Sequence, residues 1–131
     1  MADTMQFDLV SPERSLASLQ ASAVQLPGSE GDMTAMPDHT PVITTLRPGI
    51  VSVSSPDGDA EFVVTSGFAE ITAAGLSVIA EKAFEKNAEA VAELNTVLEE
   101  ARSAMEAAMG DDRDATEKFV AEMIHLLEMM E

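Results

Sequence analysis

Two histidines, His39 and His125, are the residues of this sequence best suited to move protons near neutral pH, and the 131-residue chain contains no cysteine. A zinc site needs three or four nitrogen or sulfur ligands, and the two histidines fall in different predicted domains. The sequence therefore predicts no metal site. Because His39 directly follows Asp38, a small enzyme that uses this pair as a general base is one hypothesis that the residues leave open.

Glycine patterns that bind nucleotides are also missing from the sequence. Neither the P-loop pattern nor the G-x-G-x-x-G pattern of dinucleotide-binding folds occurs among the 7 glycines. The glycines are better explained as turn residues that allow a positive φ. We therefore expect no bound cofactor and a chain without catalytic activity of its own.

The charge of the chain limits its partners. Lys and Arg number 7 against 24 Asp and Glu, which gives a formal net charge of -17. Nucleic acid and anionic lipid would be repelled by such a surface. The longest uncharged run, residues 15–29, is too short and too polar to cross a bilayer. The N-terminus carries Asp3 and lacks the apolar core of a secretory signal, so we expect a cytoplasmic chain without a leader.

Turn residues divide the first 80 residues into short segments that suit strands. Met5, Phe7 and Leu9 alternate with Gln6 and Asp8, which predicts a strand with one buried and one wet face. Similar runs follow at intervals typical of an all-β sandwich or barrel. We therefore predict a β-domain over residues 1–82. The turns that separate these runs include Ser11-Pro12, Pro27-Gly28, Arg47-Pro48-Gly49 and Pro56-Asp57-Gly58.

The rest of the chain, residues 83–131, has a helical composition and period. It contains no proline and a single glycine, Gly110, which is placed to end one helix before Asp111 caps the next. The two apolar stripes predict an antiparallel helical hairpin. The first stripe is Phe84, Val91, Leu98 and Met105 at heptad spacing, and the second is Phe119, Val120, Met123, Leu126, Leu127 and Met130.

Methionines in this second region support an alternative function. Methionine adapts to varied partners, so a Met-lined hairpin could serve a free-standing acidic adaptor or chaperone as a binding groove. At helical spacing, the same residues also fit an ordinary hairpin core. The methionines concerned are Met105, Met109, Met123, Met129 and Met130.

One stretch of the sequence resembles a known family. In residues 31–49 an acidic glycine loop leads into Pro37-x-His39-x-Pro41, then a hydrophobic strand and the turn Arg47-Pro48-Gly49. This pattern resembles the signature of the epsilon subunit of bacterial F-type ATP synthases. Residues 7–12, 62–71 and 76–81 are similar to other strands of that family in the same order.

The resemblance implies a sandwich of about ten strands followed by a two-helix hairpin. It also implies a non-catalytic subunit of the central stalk, or rotor, which links the gamma subunit to the c-ring and couples proton translocation to ATP synthesis. Such a subunit is peripheral at the cytoplasmic face of the bacterial inner membrane, where other subunits hold it. By the same resemblance, Glu30, Gly31, Asp32 and His39 are expected to contact the c-ring, and Thr44 the gamma subunit.

In many bacterial members of that family the hairpin also reaches the alpha and beta subunits and restrains ATP hydrolysis, and in some it binds ATP. Nucleotide-binding members carry an acid-x-x-Arg-Ala pattern in the first helix, which is missing here. Residues 81–131 hold 14 acids against 5 bases in the sequence. We therefore expect the hairpin to be at most a weak regulator of hydrolysis and not a nucleotide sensor.

Overall fold

The computed structural model describes residues 3–130 and divides the chain into two compact units between Lys86 and Asn87. The first unit is a ten-stranded β-sandwich, as the resemblance implies, and its short strands fit the spacing of the turns. Its strands are β1 (Met5–Val10), β2 (Ser15–Ala21), β3 (Ala23–Gly28), β4 (Gly31–Ala35), β5 (Val42–Leu46), β6 (Gly49–Ser54), β7 (Ala60–Val64), β8 (Gly67–Ile71), β9 (Gly75–Ala80) and β10 (Ala83–Glu85).

The strand order is β10-β7-β6-β3-β5-β8-β9-β1-β2, with β4 on β3. All pairs are antiparallel except β1 with β9. A single residue pair, Gly28 opposite Leu46, joins β3 to β5 and connects the two halves of the sandwich. The turn that follows β3 and the turn that follows β5 therefore lie side by side.

The core of the sandwich forms from one face of each strand. Met5, Phe7 and Leu9 of β1 are buried while their neighbours are only half-buried, which is the alternation that the sequence predicts. The ring of Phe7 lies 6.4 Å from that of Phe62 in β7, so the aromatic pair spans the interior between strands that are far apart in the sheet order.

The second unit consists of α1 (Ala88–Ala107) and α2 (Asp111–Met129), which pack against each other. The side chain of Asn87 accepts a hydrogen bond of 3.0 Å from the amide of Ala90 and so caps α1. Each helix has a stripe of buried side chains one turn apart. These side chains are Ala90, Leu94 and Leu98 on α1 and Val120, Met123 and Leu126 on α2.

Two details of the predicted hairpin are wrong. The apolar stripe placed the start of the helix at residue 83, but Ala83–Glu85 forms β10 and Phe84 pairs with Val63 of β7. Strand pairing satisfies the backbone here, and the Asn87 cap then sets the start of the helix. At the other end of α1, Gly110 caps α2 with φ 64°, whereas Asp111 is the first helical residue, where the helix dipole favours a carboxylate.

Candidate docking surface

A tight turn joins β3 to β4 on the surface of the sandwich. We refer to residues 29–32, which include the first two residues of β4, as the acidic turn. Gly28 pairs with Gly31, so Ser29 and Glu30 form a two-residue turn and both are exposed. Gly31 has φ 142°, and a Cβ on Gly28 would lie 2.5 Å from the carbonyl oxygen of Gly31. Both glycines are therefore required for the turn, which projects the carboxylate of Glu30 into solvent.

Arg47 holds this turn from the neighbouring strand end. Its Nη2 donates to Oδ1 of Asp32 at 2.5 Å, and its Nη1 donates to the carbonyl oxygen of Gly28. The Arg47 amide donates to the carbonyl of Pro27 at 3.0 Å. The Ser29 amide donates to the carbonyl of Thr45, also at 3.0 Å, and their hydroxyls lie 2.7 Å apart. The acidic turn is thus fixed by a network of polar contacts.

His39 lies in the loop between β4 and β5 and is half-buried. Its Nδ1 donates to the carbonyl oxygen of Thr40 at 2.5 Å, and within residues 3–130 no hydrogen bond joins it to Asp38 or to the acidic turn. The preceding Asp38 has φ 64°, a left-handed conformation that aspartate tolerates. The Asp38–His39 pair of the enzyme hypothesis is therefore not assembled in this structure.

Thr44 sits on β5 opposite Ala69 of β8, which is fully buried. Side chains alternate along the strand, which places the half-buried side chain of Thr44 on the core-facing side. Its neighbours Ile43 and Thr45 therefore face outward. The outward-facing side chains of β5 are therefore the ones next to Thr44, and the contact of Thr44 with gamma stays a prediction.

An apolar patch covers this outward face, and sequence reasoning missed it. Thr45, Phe68, Ile79 and Val10 stand opposite one another across β5, β8, β9 and β1. Phe68 is 44% exposed, Ile79 40% and Ile43, in the next row, 68%. We refer to Ile43, Phe68 and Ile79 as the outer patch. Leu76, Val78 and Ala80 recur at every second position, so the sequence indicates that Ile79 lies on the opposite face of its strand, but not that Phe68 lies beside it.

A polar row borders the outer patch. Across the strands from Ile43, this row continues with the polar residues Glu70, Ser77 and Asp8. Asp8 and Glu70 line a shallow depression of about 200 Å³. The side-chain Nε2 of Gln6 donates to Oδ1 of Asp8 at 3.1 Å. No group of three or more acidic or histidine side chains within residues 3–130 is arranged to hold a metal ion. The face combines apolar contact area with polar partners, which is the composition of a protein-docking surface.

The chain thus consists of a small β-sandwich with an exposed apolar patch and a helical hairpin that forms a second unit. Residues 4–86 match the family described as ATP synthase, Delta/Epsilon chain, beta-sandwich domain. The ATP synthase epsilon chain of Ruegeria sp. (strain TM1040) is 61% identical over 87% of this chain and 83% of its own length. The ATP synthase epsilon chain of Rhodobacter capsulatus is 52% identical over 94% of this chain and 93% of its own length. The chain belongs to the ATP synthase epsilon-chain family.

Solved structures agree with the fold. A chain of the Euglena gracilis mitochondrial ATP synthase, solved as OSCP/F1/c-ring, superimposes with a TM-score of 0.75 at 21% identity, covering 98% of this chain and 82% of the other. A chain of the Tetrahymena thermophila mitochondrial ATP synthase central stalk/c-ring gives 0.65 at 14% identity, covering 95% and 94%. The sandwich with its hairpin is therefore shared across distant sequences. Within residues 3–130, no helix has the length and apolarity needed to span a membrane.

Proposed function

We propose that this chain is a non-catalytic rotor subunit of the central stalk of F-type ATP synthase, which joins the gamma subunit to the c-ring. The observation that carries the proposal is the outer patch, an apolar surface on a well-ordered sheet. Exposed apolar surface of this kind on a folded unit marks a site of contact with another protein. Relatives at 61% and 52% identity bear the name ATP synthase epsilon chain, which supports this assignment.

The gamma subunit is the partner that we assign to the outer patch. Thr44 lies on the same strand as Ile43 but on its core-facing side, so we place the gamma contact predicted for Thr44 at its outward-facing neighbours. Apolar side chains on three neighbouring strands offer a rigid contact area, so little entropy is lost when a partner binds. The coupling of rotation to proton flow needs such a stable joint. The chain is then peripheral at the cytoplasmic face of the membrane, where its partners hold it.

The c-ring is the partner that we assign to the acidic turn, with His39 in the following loop. Glu30 is exposed at the tip, and Gly31 and Asp32 continue the turn. Carboxylates at a fixed turn can meet basic or amide side chains of a polar surface. Membrane association of the chain is then indirect, since its net charge of -17 opposes contact with anionic lipid.

Reversing the charge of the acidic turn tests its proposed contact with the c-ring. Each exposed ion pair contributes about 0.2 to 1 kcal/mol, so the double variant Glu30→Lys, Asp32→Lys should lower ATP-driven proton pumping several-fold without releasing the chain from the complex. Pumping is measured by dye quenching in inverted membrane vesicles at matched ATPase activity. The control is Asp57→Lys with Asp59→Lys, on the exposed turn between β6 and β7. Unchanged pumping in the first variant would place the c-ring contact elsewhere.

The hairpin is, in our proposal, at most a weak brake on ATP hydrolysis with occasional contact to the alpha and beta subunits. Within residues 88–129, α1 and α2 together carry only Arg102, Arg113 and Lys118 as bases. Arg102 pairs with Glu99 at 3.2 Å, and Arg113 with Glu117 at 2.9 Å. Few cations remain to hold a triphosphate or an acidic segment of a catalytic subunit.

Deletion of residues 87–131 should therefore leave ATP synthesis largely intact and raise hydrolysis less than about twofold, because like charges oppose insertion of the hairpin beside acidic segments. The cut follows β10, so the sandwich keeps all its strands. Hydrolysis and synthesis are measured in the same vesicles. A several-fold rise in hydrolysis, or micromolar ATP binding by the full chain, would show that charge was the wrong guide.

The proposed function as a whole is tested by reconstitution. The full chain is mixed with the isolated gamma subunit of the same organism and run by size-exclusion chromatography. We expect a one-to-one complex that survives high salt, because apolar contact is not screened by ions. Separate elution of the two proteins at micromolar concentration would overturn the assignment of the outer patch to gamma.

A further inference from the structure

Arg47 is an isolated positive charge in the sequence of the sandwich. It is the only Lys or Arg between Arg14 and Lys82 in the sequence. The structure places its guanidinium on the acidic turn, with one nitrogen on the Asp32 carboxylate and the other on the carbonyl oxygen of Gly28. The single base of this long acidic stretch thus contacts the turn that we assign to the c-ring.

The two carboxylates of the acidic turn consequently differ. Asp32 forms an ion pair with Arg47, whose side chain is 30% exposed. Glu30 has no ion-pair partner within residues 3–130, and it sits at the tip between Gly28 and Gly31. A partner that approaches the turn meets a free charge at Glu30 and a neutralised one at Asp32.

The contact with Gly28 carries a structural consequence. Gly28 is buried, and it is the residue at which β3 meets β5. The guanidinium of Arg47 donates from one nitrogen to the Gly28 carbonyl and from another to the Asp32 carboxylate. These two bonds fix the turn relative to the end of β5 more firmly than a single ammonium group could. Backbone bonds from Arg47 to Pro27 and from Ser29 to Thr45 close the network.

We propose that Arg47 is the positioning residue of the acidic turn: its ion pair with Asp32 and its bond to Gly28 hold Glu30 as the carboxylate presented to the c-ring. The proposal rests on the proposed function and divides the roles within that site. Asp32 acts within the chain, through Arg47. Glu30 acts toward the partner.

Amide hydrogen exchange of the full chain tests the positioning without any partner. The reporters are the amides of Ser29 and Arg47, which donate to Thr45 and Pro27. Arg47→Gln should raise their exchange rates about fivefold, because a charged fork is lost from an otherwise ordered turn. Arg47→Lys should give an intermediate rate, since one ammonium cannot span both acceptors as the fork does.

Arg14→Gln is the matched control, since Arg14 is exposed and its side chain has no partner within residues 3–130. Amides of β1 and β9 serve as internal references for the global stability of each variant. Unchanged exchange at Ser29 in Arg47→Gln would overturn the proposal. If Arg47→Gln lowers the stability of the whole unit, Asp32→Asn, which keeps the Gly28 bond, provides the comparison and should still raise exchange at Ser29.

Coupling in the assembled complex tests the division of roles. Asp32→Asn and Arg47→Gln should each lower proton pumping per ATP hydrolysed, and the double variant should lower it no further than Arg47→Gln alone, because Arg47→Gln already removes the ion pair with Asp32 together with the bond to Gly28. Glu30→Gln should add its own loss to either. If Asp32→Asn and Arg47→Gln are additive, Asp32 meets the ring directly and the proposal is wrong. If exchange responds as expected and no variant alters coupling, the assignment of the acidic turn to the c-ring fails and the positioning within the chain stands.

Discussion

Replacing Gly67 with alanine is expected to destabilise the sandwich by about 3 kcal/mol or more, since a strained backbone and a steric clash are added together. Gly67 begins β8 with φ 154°, and a Cβ there would lie 2.1 Å from the carbonyl oxygen of Ile79 and 2.8 Å from Cα of Ala80. Both neighbours are backbone atoms of β9. Neither can move without breaking the β8–β9 pairing, which also carries Phe68 and Ile79 of the outer patch.

Gly58→Ala separates the two causes. Gly58 has φ 129°, and a Cβ there would meet no atom within 4 Å. This control therefore adds the backbone strain alone, for which we expect about 1 kcal/mol. Urea denaturation followed by far-ultraviolet circular dichroism gives both values, although α1 and α2 contribute to the signal, so the amides of β8 and β9 are followed by NMR as well. Equal midpoints for the two variants would contradict the packing described at Gly67.

The double variant Phe68→Ser, Ile79→Ser is expected to weaken binding of gamma at least about a hundredfold, because buried apolar anchors at the centre of an interface contribute about 2 kcal/mol or more each. Both side chains are more than a third exposed in the free chain, at 44% and 40%. Their truncation should therefore lower the stability of the sandwich less than truncation of fully buried side chains would, and the melting temperature is measured beside the affinity. Binding is measured by isothermal titration of isolated gamma with the full chain.

Met109→Ser is the matched control for this variant. Met109 is 82% exposed and lies in the second unit, before Gly110. Loss of exposed apolar surface at that position should leave the affinity for gamma unchanged. Retained affinity in the double variant, with its melting temperature also retained, would show that gamma binds another face.

Strand alternation carried most of the prediction of the fold. Met5, Phe7 and Leu9 are buried on one face of β1, as their spacing indicates, and turn residues separate the other strands. The start of α1 could not be located in the same way. Phe84 fits both a helical stripe and a strand, and only the long-range pairing with Val63 decides between them. Asn87, which interrupts the apolar pattern, proved to be the cap that begins the helix.

The site was less accessible to sequence reasoning. The turn after β3 could be predicted from Pro27, Gly28 and Gly31, because turns have a local signature, but its expected contact with the c-ring came only from the family resemblance. The outer patch could not, since Phe68 and Ile79 become neighbours only through the register of β8 with β9. The pairing of Asp32 with Arg47 depends equally on the contact of two turns that are separate in sequence. Which partner each surface meets stays a prediction.

The assignment of this chain to the rotor of an F-type ATP synthase is tested most directly by affinity purification. The chain carries a tag and is expressed in its own cells from its own locus. Membranes are solubilised in a mild detergent, and the bound proteins are identified and counted by mass spectrometry. If the chain is a rotor subunit, gamma, the c-ring and the catalytic subunits should co-purify with the tag in one large particle, with one copy of this chain for each gamma. Recovery of the chain alone, or with proteins unrelated to a rotary ATPase, would contradict it.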